Sequence, residues 1–387
     1  MTPLPTHFLR EPDYLSVSLN HFFIDVLNSG RNLIVALLAI ALGLSNAQVG
    51  IVLLLYNVGS ALMQPLFGWL ADRIGARWLV VGGMGWSIFF YGLSAVAGDW
   101  LALMAVTVAG IGSGAFHPPG TMIASQVSQK YRNRATALFF TSGQLGLFMG
   151  PVFTGILLEV YGRPGYLVLP ALAFVAFLSA WRWVVDKPAY QAARLASRQA
   201  AATAANGLRS PTALLLSLII VNVSTVSIAA MTFAPKLFSE MGYTPNYVGW
   251  LSGLFMLGAA VGGVVGGLLA DRFNGRFVIM LGVLASVLPL YFYIPLPGVW
   301  RFGLLFLAGF FNGMPHAILV LMVQSLLPNR RGTGSGLALG FMFFSGAVGS
   351  TFLGLIADRI GLDVALQGTA VLPLVAFLAV LLLPRQT

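Results

Sequence analysis

Four polar side chains near the N-terminus have the spacing of one helical face. They follow one another at i, i+4, i+7 and i+11, which places them within about 60° of arc. The four residues are His21, Asp25, Asn28 and Asn32. Asp25 lies near the middle of an apolar stretch, where an ionised carboxylate costs roughly 2.5 kcal/mol or more and desolvation favours the neutral acid. We interpret Asp25 as a proton carrier with His21 as its partner.

A second charge, Arg31, follows six residues after Asp25. At 100° per residue the two side chains are about 120° apart, so we expect no direct pair and place Arg31 at a cavity. Polar packing between helices is the alternative for the whole stripe, and a structural role beside Pro118 and Pro119 is the alternative for His117. The candidate substrate-binding residues are Asn28, Arg31, Asn32, Asn57, Gln64, His117, Gln144, Asn222 and Asn312.

The composition requires a membrane around these side chains. Of 387 residues, 58% are hydrophobic and only 8% are charged, whereas soluble domains carry about 25% charged residues. A soluble enzyme, a disordered protein and a nucleic-acid-binding protein are therefore excluded as function classes. The chain has no cysteine, so disulfides and thiolate metal sites are excluded as well.

Runs of about 20 apolar residues bounded by charge, proline or glycine predict twelve membrane-spanning helices. The predicted spans are 17–42, 47–71, 77–98, 101–125, 135–159, 165–185, 212–236, 246–270, 276–296, 301–327, 333–357 and 363–384. The predicted fold class is an all-α membrane protein in which twelve transmembrane helices form two pseudo-symmetric six-helix bundles.

The basic residues predict the orientation. The net charge of +10 arises from 21 lysines and arginines, of which 16 lie on one side if both termini are cytoplasmic. Because basic residues accumulate in cytoplasmic loops, this distribution predicts a multi-pass protein of the inner (cytoplasmic) membrane with both termini inside the cell. We expect the lipid bilayer, and no nucleic acid, as the partner of the basic residues.

The sequence matches itself at one offset of 199 residues. Rare residues share this register with the glycines, including Asp72 with Asp271 and His117 with His316. The repeat predicts three parts: an N-terminal six-helix bundle (1–185), a basic cytoplasmic linker (186–210) and a C-terminal six-helix bundle (211–387). Parallel repeats of this kind place a cavity between the halves.

Both repeats carry a charged turn after their second span. The candidate residues of this conformational latch are Gly68, Asp72, Arg73, Gly75 and Arg77 in the first copy, and Gly267, Asp271, Arg272 and Arg276 in the second. The glycines permit close helix approach and the arginines anchor a tight turn. The duplicated motif resembles the signature loop of the major facilitator superfamily over essentially the whole chain. The second copy has Asn274 where a glycine is expected, which leaves the geometry of its turn open.

The fifth span is rich in glycine and is interrupted by proline. Its predicted helix-packing residues are Gly146, Gly150, Pro151 and Gly155. This pattern is similar to the motif of the exporting, antiporter branches of the superfamily, and ordinary close packing is the alternative.

A narrower resemblance comes from the first four spans. The spacing of His21 and Asp25, the dipeptide at 64–65 and the segment from Gly112 to Pro118 resemble the fosmidomycin-resistance branch of the superfamily. The resemblance implies proton-driven efflux of small drugs or metabolites. Val106 stands where many relatives carry an arginine, so no proton relay through that side chain is expected.

We therefore expect a monomeric, proton-coupled secondary transporter that exports small molecules by alternating access, with no cofactor and no bound metal. A proton-coupled importer of a small organic metabolite is the main alternative. An intramembrane enzyme would need several convergent acids or histidines, and a channel would need repeated rings of charge. The sequence indicates neither feature, so we do not expect an enzyme or a channel.

Overall fold

The computed structural model describes residues 7–128, 132–186, 210–326 and 331–383. Within them, twelve helices are long and apolar enough to cross a membrane. We number them α1 to α12: Pro12–Ala41, Asn46–Ala71, Ala76–Val96, Asp99–Gln126, Arg132–Tyr161, Arg163–Trp183, Pro211–Glu240, Pro245–Ala270, Gly275–Phe292, Val299–Ser325, Arg331–Ile360 and Leu362–Leu382. The predicted fold class is confirmed. Nearly all of the predicted linker, residues 187–209, lies outside the described residues.

The largest differences between predicted and observed helix ends involve prolines. Helix α1 begins at Pro12, earlier than predicted, because a proline is well suited to the first helical turn, where its missing N–H costs nothing. Helix α7 continues through Pro235 to Glu240, so this proline does not end the helix. The earlier start puts Asp25 about 20 Å from one end of α1 and about 24 Å from the other, close to mid-membrane.

Several spans are composite helices. Helix α2 contains a π-helical turn, Val58–Leu62, and resumes as an α-helix at Gln64. Helix α4 is interrupted between Val108 and Gly110, and its repeat mate α10 between Gly313 and Pro315. These irregular turns lie inside the membrane, where freed backbone groups are tolerated only if they face protein or a cavity. The turn of α2 packs against α4, whereas that of α10 packs against α8 and α9.

The two halves, α1–α6 and α7–α12, are related by the repeat. Helix α1 packs along α5, and its repeat mate α7 packs along α11. The halves meet where α5 packs on α8 and where α11 packs on α2, which are again repeat mates. We call the membrane end where α1 ends and α2 begins the distal end, and the opposite end the proximal end. Large apolar side chains cover the outer surface, as lipid contact requires.

Candidate functional site

One acid and two histidines converge near the middle of the membrane. Asp25 and His21 lie one turn apart on α1, and His117 reaches them from α4. The Nε2 atom of His21 is 3.3 Å from Asp25 Oδ2, and the Nε2 atom of His117 is 3.5 Å from Asp25 Oδ1. Asp25 and His21 are buried, whereas the side chain of His117 is 23% exposed. We call these three residues the triad.

The backbone fixes which imidazole nitrogen faces the acid. Nδ1 of His21 is 2.7 Å from the carbonyl oxygen of Phe139, and Nδ1 of His117 is 2.7 Å from the carbonyl oxygen of Ser113. A carbonyl only accepts, so each Nδ1 carries the hydrogen and each neutral imidazole turns the Nε2 lone pair toward Asp25. A hydrogen bond at either contact thus requires an added proton, on the carboxylate or on Nε2.

Asn28 connects the triad to a cluster of buried hydroxyl groups. Its Nδ2 donates to Asp25 Oδ1 and to Ser113 Oγ, both at 3.0 Å. Its Oδ1 accepts from the hydroxyls of Tyr56 at 2.7 Å and Tyr91 at 3.1 Å. The amide of Asn28 therefore has all its ordinary partners within the protein. In this structure no polar atom of the Asn28 side chain is left for a substrate. The residue orients Asp25, and its part in substrate binding stays a prediction.

Arg31 lies on the distal side of the triad and does not pair with Asp25, as the helical spacing predicts. It is only 8% exposed. Its guanidinium carbon is 3.5 Å above the ring centre of Tyr56, and one terminal nitrogen donates to the carbonyl of Asn28 at 2.6 Å. Its Nε has no hydrogen-bond partner among the described residues, and neither has Oδ1 of the neighbouring Asn32. These two groups keep hydrogen-bonding capacity for a ligand.

Glycines of α5 make room for the triad. A Cβ atom on Gly143 would stand 2.6 Å from Asp25 Oδ2 and from His21 Nε2. One on Gly146 would stand 3.1 Å from the Cβ atom of Asp25, and one on Gly150 would overlap the backbone of Val26. The helix-packing prediction thus corresponds to a close approach of α5 to α1 along the face that carries Asp25.

The remaining polar candidates are not brought to the triad. The amides of Asn57, Gln64 and Asn222 donate to carbonyls one turn earlier on their own helices. Asn312 joins two helices by donating to the carbonyl of Val223 and to a serine of α7. Gln144 is exposed. Among these residues only Asn312 joins two helices, and a part in substrate binding stays a prediction for all of them.

The distal ends of the two halves are joined by backbone crossings. On α5, a Cβ on Gly155 would stand 2.5 Å from the carbonyl oxygen of Pro245 and 3.0 Å from Cα of Gly249 on α8. On α11, the repeat mate Gly354 has the same relation to Asn46 on α2. Glycine is needed at both positions because backbone atoms occupy the space of a side chain.

Two carboxylates complete these crossings. Glu159 Oε2 accepts from the backbone N–H of Asn246 at 3.0 Å, in the first turn of α8. Asp358 accepts from the N–H groups of Asn46 at 2.7 Å and Ala47 at 3.0 Å, in the first turn of α2. Each carboxylate thus satisfies the free amides at the N-terminus of a helix in the other half. These contacts join the two halves at the distal end.

The model of the Major Facilitator Superfamily matches this sequence over residues 17–233 and again over residues 215–387. The chain belongs to the Major Facilitator Superfamily. It is a multi-pass membrane transporter of this superfamily and not an enzyme.

Several relatives within the superfamily match most of the chain. It is 28% identical over 377 residues to the Fosmidomycin resistance protein of Escherichia coli, covering 95% of this chain and 91% of the relative. It is 26% identical over 296 residues to the Multidrug resistance protein MdtG of Salmonella arizonae, covering 73% and 70% of the two chains. The crystal structure of a bacterial homologue of the human lysosomal transporter Spinster, inward-facing and occupied, shares the fold with a TM-score of 0.80. That match has 18% identity and covers 96% of each chain.

The two signature loops of the superfamily form different turns here. Gly75 has φ +97°, a conformation that favours glycine, and Asp186 accepts from the N–H of Ala76 at 2.7 Å. Its repeat mate Asn274 has φ −64° and caps α9 with its own side chain, which accepts from the N–H of Arg276 at 2.8 Å. The asparagine is thus explained: it supplies the cap that Asp186 supplies to the first copy.

The described contacts of the latch residues stay within each half. Arg77 donates to the carbonyl of Trp181 at 2.9 Å, and Arg276 donates to the carbonyl of Leu383 at 2.8 Å. Each arginine therefore ties the start of one helix to the C-terminal end of another helix in its own half. Arg73 packs on Trp69, at 3.9 Å from its ring centre.

At Gly68 and Gly267 a Cβ atom would meet none of the described residues within 4 Å, so the expected close helix approach at these glycines stays a prediction. Asp271 and Arg272 are exposed, and the side chain of Asp72 lies outside the described part of the structure. A latch between the halves at the proximal end remains a prediction.

Sequence reasoning missed the partners that complete the site. Ser113, Tyr56 and Tyr91 carry no spacing signal that links them to Asp25, because they come from other helices. Glu159 and Asp358 did carry a signal, since they are 199 residues apart and occupy the register of the repeat. Rare charged residues in that register, and not only those in known motifs, would have identified them.

Proposed function

We propose that this chain is a proton-coupled secondary transporter that exports small drugs or metabolites in exchange for protons. Its two halves would rock about the mid-membrane region that contains Asp25, so that the region opens alternately to each side. We place the protein in the inner (cytoplasmic) membrane with both termini in the cytoplasm, on the basis of the distribution of basic residues, and we propose that it acts as a monomer.

The observation that carries the proposal is the geometry of the triad. Both Nε2 atoms face the two oxygens of one carboxylate, and neither contact can be a hydrogen bond without an added proton. The group is buried, yet His117 is partly exposed and gives protons a path. Protonation and deprotonation of Asp25 would therefore change the contacts between α1 and α4, and substrate binding would be linked to that change.

The proposed direction rests on α5 and on the relatives. The glycine and proline pattern of α5 resembles that of exporters, and two relatives are called resistance proteins. The rival function is a symporter that imports a small organic metabolite together with protons. It shares the triad and differs only in which side releases the substrate.

The substrate region offers one acid and one base. Arg31 with Asn32 and Tyr56 lies toward the distal end, and Asp25 lies nearer the proximal end. This arrangement fits anionic, zwitterionic or cationic small molecules whose polar groups contact these side chains and whose apolar parts contact the surrounding helices.

The test uses an efflux-deficient bacterium that expresses the wild-type protein or Asp25→Asn. Fosmidomycin is the first compound in the panel, because one relative is named for resistance to it. We expect the wild type to raise the inhibitory concentration of at least one compound and Asp25→Asn to abolish this protection. In everted membrane vesicles with an imposed pH gradient, addition of that compound should release protons only with the wild type.

The matched control is His316→Gln. His316 is the repeat mate of His117 but is not grouped with any acid among the described residues, so its replacement should leave resistance unchanged, while His117→Gln should reduce it. Proton exchange at the wild-type rate by Asp25→Asn would overturn the assignment. Accumulation of the compound on the side to which protons flow would instead establish the importer.

A further inference from the structure

We propose that the triad is also a binding site for one divalent transition-metal ion of the Zn²⁺ type, held by His21 Nε2, His117 Nε2 and the carboxylate of Asp25. The three ligand atoms lie within 4.8 Å of one another. Two histidines and one carboxylate form a ligand set that binds zinc in proteins and leaves one position open.

The distances are close to those of a bound ion. Zinc bonds to nitrogen and oxygen are about 2.0–2.1 Å long, so ligand atoms in a tetrahedral site are separated by about 3.3 Å. The two contacts of Asp25 with His21 and His117 measure 3.3 and 3.5 Å. The two contacts end on different oxygens of Asp25, so an ion between the imidazoles would be bound by both oxygens of the carboxylate, and His117 is the more exposed of the two histidine side chains.

The groups around the ligands are also those of a metal site. Metal-bound histidines almost always donate their other ring N–H to a carbonyl or carboxylate, which fixes the ring and presents the lone pair. Here Phe139 and Ser113 supply those carbonyls, each at 2.7 Å. Asn28 holds the carboxylate in the same way, with a hydrogen bond of 3.0 Å. The two Nε2 lone pairs thus already face the carboxylate of Asp25.

The site has an entry path, and only glycine fits beside it on α5. A Cβ atom on Gly143 would lie 2.6 Å from Asp25 Oδ2, so the backbone of α5 packs directly against the ligands. The 23% exposure of the His117 side chain marks the approach for the ion and the place for a fourth ligand such as water. The chain has no cysteine, so nitrogen and oxygen ligands must carry the binding. Sequence spacing did not predict this site, because the two histidines come from distant helices.

The inference uses the same side chains as the proposed transport mechanism but does not depend on it. An ion occupies the lone pairs that protons would otherwise occupy, and binding at neutral pH releases protons. If the transport proposal is also correct, Zn²⁺ should block the exchange of protons for substrate.

Metal binding is measured directly on the full-length protein in detergent, with any histidine tag removed. Titration with Zn²⁺ should show one equivalent bound, and Co²⁺ should give the visible absorption bands of a four- or five-coordinate ion, which Zn²⁺ displaces. Asp25→Asn and His117→Gln should each weaken binding by more than the 10- to 100-fold that loss of an outer-shell partner costs. His316→Gln, in the equivalent position of the other half, should bind as the wild type does.

Unchanged stoichiometry and affinity in both triad variants would overturn the proposal, and so would a Co²⁺ spectrum of six-coordinate, solvent-like ions in the wild type. Circular dichroism and elution volume identify a variant that fails to fold, and His21→Gln, which removes the other ligand nitrogen, then serves in its place with the same expected loss of binding. Because binding needs no substrate, failure here leaves the transport proposal intact. Binding without any proton exchange would leave only the metal site.

Discussion

Glu159 and Asp358 are repeat mates, and each binds the N-terminal amides of a helix in the opposite half. Glu159, at the end of α5, caps α8, and Asp358, near the end of α11, caps α2. A carboxylate at a helix N-terminus gains from the free N–H groups and from the helix dipole. The two contacts therefore form a symmetric pair of links that must break together when the distal end opens.

We predict that Glu159→Gln with Asp358→Asn shifts the protein toward the state with an open distal end. Each charge at a helix N-terminus contributes about 0.3–1 kcal/mol, up to about 2 kcal/mol. In the double variant the free energy that favours the closed distal end should therefore fall by roughly 1–3 kcal/mol. This corresponds to a shift of about 5- to 150-fold in the population ratio. Because the chain lacks cysteine, spin labels attached at Ala41→Cys and Met241→Cys report the distance between the distal ends without further changes.

The matched control is Asp363→Asn, an exposed carboxylate five residues further along the chain at the same end. It should leave the distance distribution unchanged. An unchanged distribution in the double variant would mean that the other contacts between the halves, including the glycine crossings and the hydrogen bond from Lys236 to Asn46, keep the distal end closed.

The glycine crossings give a second prediction. Gly155→Ala and Gly354→Ala each place a methyl group within about 2.5 Å of a backbone carbonyl of the other half, so the helices must separate. We expect both variants to favour the open distal end in the same spin-label measurement. Gly82→Ala on α3, where a Cβ atom meets open space, should have no such effect. Equal behaviour of the three variants would contradict a role for these crossings.

Asn28 gives a third prediction, on stability. Asn28→Ala removes the shared acceptor of two tyrosine hydroxyls and a donor to Asp25, and buried groups that lose their partners cost about 1–3 kcal/mol. Tyr91→Phe removes only one hydroxyl and should cost less, about 0.5–1.5 kcal/mol. Unfolding in detergent, followed by circular dichroism, measures the free energy of unfolding. This free energy should be highest for the wild type, lower for Tyr91→Phe and lowest for Asn28→Ala. The opposite order of the two variants would exclude Asn28 as the centre of this network.

The fold was predictable from sequence because lipid simplifies the problem. Without water in the hydrocarbon region, each crossing must be a helix of about 20 apolar residues, so composition and loop charges define the spans. Asp25 and His21 could be assigned for the same reason, since they share one helical face and polar groups are rare there. His117 was recognised as a candidate, but its contact with Asp25 depends on how α4 packs on α1, which helical periodicity does not determine.

The two charged turns also depend on packing that the sequence pattern does not determine. Sequence identified both copies but treated their arginines as equivalent members of one latch. In the structure Arg276 donates to carbonyls of Leu383 and Leu381 at the end of α12, whereas Arg272 is exposed. No sequence pattern separates the two, because the carbonyl acceptors come from the last helix of the half. The difference between them is testable.

We predict that Arg276→Gln lowers the free energy of unfolding by about 1 kcal/mol or more, since two hydrogen bonds from a charged donor to the end of α12 are lost. Arg272→Gln, four residues earlier, should change it by less than about 0.5 kcal/mol, as is usual for an exposed substitution. Denaturant titration in detergent micelles measures both. If Arg272→Gln instead alters the spin-label distances with little change in stability, Arg272 acts in a latch between the halves. In that case the duplicated turn controls the conformational change through its exposed arginine, and Arg276 only secures the turn.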